Sequence, residues 1–145
     1  MGSLQAWLEK SPVTRSLGLG AVLGQFFYFL PYGLEATVML AMMMPGVYWG
    51  FSYCYHGWLE GLQETLTVGL LCYFNLWCLL HLDEHLFYAP LTVFVHGMVD
   101  FLHHLKLHPT EKHVIQQCPK YPIMCGCLDV AFAFTMGLMI LLFSS

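Results

Sequence analysis

The run His96-Gly-Met-Val-Asp100-Phe-Leu-His103-His104 sets three imidazoles and a carboxyl within nine positions. At 100° per residue, positions 96, 100, 103 and 104 fall at about 0°, 40°, −20° and 80°, one stripe of a helix roughly 100° wide. Met98, Phe101 and Leu105 occupy the far side. A second run, Cys125-Gly-Cys-Leu-Asp129, adds a carboxyl, and Glu60 and Glu64 stand i, i+4 on one face. Nitrogen and carboxylate donors in this mixture suit zinc or non-haem iron, and such an ion could activate water or oxygen. On that reading His96, Asp100, His103, His104 and Asp129 are metal ligands, and Glu64 is the catalytic general base. The same groups could pass protons, because an imidazole and a carboxyl held together out of water share one. They could also do no more than hydrogen-bond one helix to the next, which in membranes is worth only about 0.6 kcal/mol per bond.

Other candidates are weaker. His81 and His85 form an i, i+4 pair around Asp83 and Glu84, and read as a solvated helix end. Met42, Met43 and Met44 are consecutive, so they cannot share a helical face, and packing beside Pro45 accounts for them better than soft-metal binding. Cys125 and Cys127 are two apart and point away from each other on a helix. No phosphate-binding glycine loop or nucleophile elbow is present.

The elements that must carry these residues are apolar. Of the 145 residues, 58% are hydrophobic and only 10% charged, whereas a soluble domain is nearer 25% charged. The chain reads as one integral membrane domain, residues 1–145, with no removable signal peptide at its start. The net charge of −4 and the lack of a basic run argue against nucleic acid as a partner. A bilayer core about 30 Å thick needs roughly 20 apolar residues of helix. Runs of that length predict spans over 16–34, 36–55, 61–80, 86–107 and 121–143, the second kinked at Pro45. The expected fold is therefore an all-α polytopic bundle of about five transmembrane helices.

Lys and Arg collect on the cytoplasmic side of membrane proteins. Lys10 and Arg15 precede the first span, and Lys106, Lys112 and Lys120 flank the loop between the fourth and fifth. Four intervening spans put all of these on one face, with the N-terminus inside and the C-terminus outside. Counting ~1.5 Å per residue from the Lys106 and Lys120 ends places Asp129 ~13 Å deep, Asp100 ~9 Å and His96 ~15 Å, a shared level. Gln25 and Asn75 complete the expected intramembrane polar set.

The motif His96-x3-Asp100-x2-His103-His104, followed by Pro122-x3-Gly126-Cys127-x-Asp129, resembles an uncharacterised family of small multi-pass membrane proteins, a domain of unknown function. The resemblance covers about 91–141. It implies a similar helical bundle and singles out the same polar positions, without implying an activity. Three functional classes follow. One is a metal-dependent enzyme acting on a lipophilic substrate. The second is an accessory subunit of a larger membrane complex, or a homo-oligomer, holding a pigment or haem by histidine. The third is a small proton or ion carrier. No sequence signal names the host membrane.

Overall fold

The computed structural model describes residues 12–47, 49–50, 58–105 and 121–144, with the backbone alone described at Glu60, Gln63, His103, His104 and Tyr121. Among these residues every regular element is helical: α1 Pro12–Phe29, α2 Gly33–Met43, α3 Trp58–Leu80, α4 Tyr88–His104 and α5 Tyr121–Phe143. Proline marks the boundaries. Pro12, Pro90 and Pro122 sit in the first turns of α1, α4 and α5, where a missing amide leaves no helical bond unmade.

Pro31 and Pro45 instead stop helices. The residue before a proline is driven out of the α region, so α1 ends at Phe29 and the chain turns through Leu30, Pro31 and Tyr32. Tyr32 takes the left-handed conformation (φ 58°, ψ 25°) at the start of α2. Gly33 follows, where a Cβ would run into the Phe27 carbonyl. This turn falls inside the stretch expected to be the first span. The second expected span is also shorter: α2 closes with the Met44 amide on the Leu40 carbonyl at 3.1 Å. Pro45 offers no amide to the Ala41 carbonyl, so the hydrogen-bond ladder is interrupted here, although Met44 keeps helical angles (φ −55°, ψ −44°). Residues 46, 47, 49 and 50 are helical again, while 51–55 of that span lie outside the described residues.

Contacts along the helices fix their directions. Gly20 lies against Leu128 and Ala131, and Gly24 against Phe132 and Thr135, so α1 and α5 run parallel. Gly97 faces Gly126 and Val130, and Phe87 faces Gly137, so α4 and α5 run antiparallel. The Cys72 thiol reaches the Met42 carbonyl, and the Trp49 indole donates to Thr65 Oγ1 at 3.0 Å, making α2 and α3 antiparallel. The elements thus alternate up and down. The start of α1 with Arg15, the end of α4 and the start of α5 share one end of the bundle. The 81–87 turn and the end of α5 share the other.

The apolar core gathers Val38 and Ala41 of α2, Ala89 and Val93 of α4, and Phe132, Ala133, Met136 and Ile140 of α5. Outside it α3 exposes Leu62, Leu66, Leu70, Tyr73, Trp77 and Leu80. By length and composition one described helix, Pro122–Phe143, suffices to cross a membrane; Gly33–Met43, Glu64–Leu80 and Tyr88–Leu102 are apolar but shorter.

Candidate metal centre

Two glycines bring α4 and α5 together. A Cβ on Gly97 would stand 2.9 Å from the Asp129 Cβ, and one on Gly126 would stand 3.1 Å from the Gly97 carbonyl oxygen. Small residues at such crossings let backbones approach closely, and here the approach sets Asp129 beside the turn that carries His96. With Asp129 ionised, His96 Nδ1–H donates to its Oδ2 at 2.7 Å. Asp100, one turn further along α4, holds its Oδ2 3.7 Å from the same nitrogen. His96, Asp100 and Asp129 are 5%, 0% and 2% exposed. Each can offer one ligand atom such that all three atoms lie within 4.8 Å of one another.

The sequence-derived set therefore divides. His96, Asp100 and Asp129 converge. The side chains of His103 and His104 lie outside the described residues. Glu64 is buried, at 1% exposed, on the α3 face that also carries Gly61, Leu71, Asn75 and Cys78, but does not belong to the converging group. Measured from the Trp77–Tyr88 ring contact that pins α3 to α4, Glu64 lies ~20 Å along its helix and Asp100 ~18 Å along its own, so both reach one level. Gln25 is exposed on α1, away from this group.

The other pairs behave as packing and helix ends. His81 Nδ1 is 2.8 Å from the Trp77 carbonyl, its ring is stacked on Trp77, and His85 stands edge-on to Tyr88. Both belong to the 81–87 turn, at the bundle end opposite Arg15. Cys125 and Cys127 are free thiols, the first half-buried and the second buried.

Among the described residues, buried His96 Nε2 and Asn75 Oδ1 meet no hydrogen-bond partner. Asn75 is legible in the sequence as an intramembrane polar residue, whereas Thr92, buried on the same stripe of α4 as His96, gives no signal there, because threonine is common in apolar helices.

No family model, no curated protein and no solved structure matches this chain. The resemblance to a family of unknown function accordingly rests on the motif residues alone.

Proposed function

We propose that this is a multi-pass membrane protein whose α4–α5 contact binds one divalent metal ion through His96, Asp100 and Asp129. The observation that carries the reading is three buried ligand atoms within 4.8 Å of one another, contributed by two carboxyls and an imidazole. Charge selects the ion. Two carboxylates and a neutral imidazole around a doubly charged cation make a centre of zero net charge, the form least costly to hold out of water. Among the described residues Arg15 is the sole Lys or Arg.

The donor set, one nitrogen and carboxylate oxygens, suits zinc or non-haem iron and leaves coordination positions for a substrate or water. Such an ion would supply Lewis acidity at an apolar site, which fits an enzyme acting on a lipophilic substrate. Glu64, level with Asp100, is the general base in this reading. The alternation of helices, with Lys and Arg adjoining in sequence the helix termini that share one end, supports five crossings with that end cytoplasmic.

Metal analysis by mass spectrometry on detergent-purified protein tests this. One zinc or iron per chain, lost in His96→Ala and Asp129→Asn variants that keep their helical circular dichroism, is expected. A wild type that stays metal-free after loading with either ion overturns the reading. Impermeant thiol labelling tests the topology independently: Lys112→Cys and Asp83→Cys should react from opposite sides of the membrane.

The 2.7 Å bond from His96 to Asp129 favours a second reading, a proton relay. Proton flux into liposomes from a metal-free protein, abolished by Asp129→Asn, would establish it in place of the first.

A further inference from the structure

Tyr32 stands at a position whose local demands a tyrosine does not meet. It is the residue that starts α2, with φ 58° and ψ 25°, and its side chain makes no cap hydrogen bond. A left-handed backbone favours glycine or asparagine, and a helix start favours serine, threonine, asparagine or aspartate. Among the described residues Tyr32 is the one non-glycine with positive φ, and it is 80% exposed. A disfavoured conformation kept at an exposed aromatic residue points to a task for the ring beyond packing.

That ring lines a cleft of about 480 Å³, together with Tyr28, Phe29, Glu35, Leu86 and Phe143, a size within the range of small-molecule sites. The end of α1, the start of α2, the 81–87 turn and the end of α5 all contribute, so the cleft belongs to the bundle end opposite Arg15. Three of its rings hold one another. Tyr28 and Phe29 lie 5.1 Å apart at 79°, Phe29 and Phe143 6.0 Å apart at 61°, and Tyr28 and Phe143 6.4 Å apart at 36°. The result is a braced aromatic wall whose faces turn in several directions. Glu35, half-buried in the first turn of α2, is the only carboxylate in the lining, which includes no Lys, Arg or His. Asp83 and Glu84 are exposed in the adjoining turn, and Arg15 is the sole described Lys or Arg, so this end of the molecule attracts cations.

The lining selects the kind of cation. One carboxylate is too few for a hard metal ion, which takes six or more oxygen ligands. A primary ammonium carries three N–H donors that need acceptors once water is displaced, and rings supply few. A quaternary ammonium has no N–H to satisfy, and aromatic faces beside a negative charge are the surroundings that hold it. We propose that the cleft binds the choline headgroup of a phospholipid, with its trimethylammonium group against the rings of Tyr28, Phe29, Tyr32 and Phe143 and Glu35 as counter-charge. A lipid is the source because helix ends rich in aromatic residues lie at headgroup level. That placement rests on the membrane reading of the proposed function and owes nothing to the metal centre.

Native mass spectrometry tests this on chelator-treated protein in maltoside detergent, offered equal amounts of phosphatidylcholine, phosphatidylethanolamine and phosphatidylglycerol with identical acyl chains. The wild type should retain one phosphatidylcholine per chain, favoured about fivefold or more over each competitor. Tyr32→Gly suits the left-handed backbone, so its thermal midpoint should hold or rise while phosphatidylcholine retention weakens about 2–5-fold, the worth of one ring contact. Glu35→Gln should instead erode the preference over the anionic lipid. Equal retention of the three lipids by the wild type, the mark of an unselective aromatic belt, overturns the proposal, as do wild-type preferences in both variants. Free choline bound as tightly as the lipid overturns the assignment to a phospholipid. The assay needs neither metal nor an oriented bilayer, so a failed metal analysis or a reversed topology leaves its outcome unaffected.

Discussion

α5 is gripped from two sides by contacts made with the same device and filled with opposite chemistry. Against α1 the device is the stripe Ser16, Gly20 and Gly24, all buried, and what it meets is backbone carbonyl, alanine, phenylalanine and threonine. Against α4 it is Gly97 and Gly126, and what they admit is an imidazole held between two carboxyls. A helix can therefore be clamped in this bundle with no ionisable group at all. The polar clamp costs desolvation that the small-residue clamp avoids, and that contrast is the physical reason to assign the α4 side a chemical task.

The comparison breaks most sharply at Gly24. A β-branched side chain there would strike the Phe132 carbonyl and Thr135, and since backbone cannot step aside, Gly24→Val should cost about 3 kcal/mol or more. Loss of the folded band in detergent-resistant electrophoresis would report it, with metal binding lost only as a consequence. The converse case is Asp129→Asn, which keeps the shape of the α4 contact and removes its charge. Loss of a second-shell partner lowers metal affinity about 10–100-fold, and a ligand should matter no less, while the fold survives. Competition with a chelating dye measures this, and equal affinity in both proteins would place the metal elsewhere.

Gly97→Ala sits between these two. Its methyl would press on the Asp129 Cβ at 2.9 Å, a side-chain stem that can shift by tenths of an ångström, so the expected stability loss is about 1–2 kcal/mol. A weaker metal affinity should accompany it, since the same shift opens the His96–Asp129 pair. The smallest effect belongs to Gly69, in α3, where a Cβ meets nothing within 4 Å. Gly69→Ala should stabilise by about 0.5–1 kcal/mol through helix propensity alone, and its thermal midpoint should rise slightly. A fall there would show that the exposed face of α3 is a close-packed interface with another subunit.

Much of this was legible in the sequence. The uninterrupted apolar run over 121–143 gave α5 its limits, because nothing in it competes with the helix. The i, i+4 spacing of His96 and Asp100, with Asp129 counted back from the opposite helix end, located the centre, because helical rise is nearly invariant. The first two helices were harder. Length counting merged the 30–32 turn into a span, since hydropathy registers apolar side chains but not a turn, whereas the missing amide of Pro45 was legible as an irregularity within the second. The pairing of α1 with α5 left no trace in the glycines themselves, as the same small residues would serve any neighbour. Which carboxyl takes the imidazole proton depends on side-chain rotation within one level, finer than any periodicity.

The parallel docking of α1 on α5 also bears on how the molecule is made. At translation rates of 5–20 residues per second, the ~100 residues separating these helices take on the order of 5–20 s to synthesise. Through that interval the partner of the Gly20 and Gly24 seam is not yet part of the chain. The α1–α5 contact therefore closes only after nearly the whole chain has been made, and a chain ending before Tyr121 lacks every residue that Gly20 and Gly24 meet.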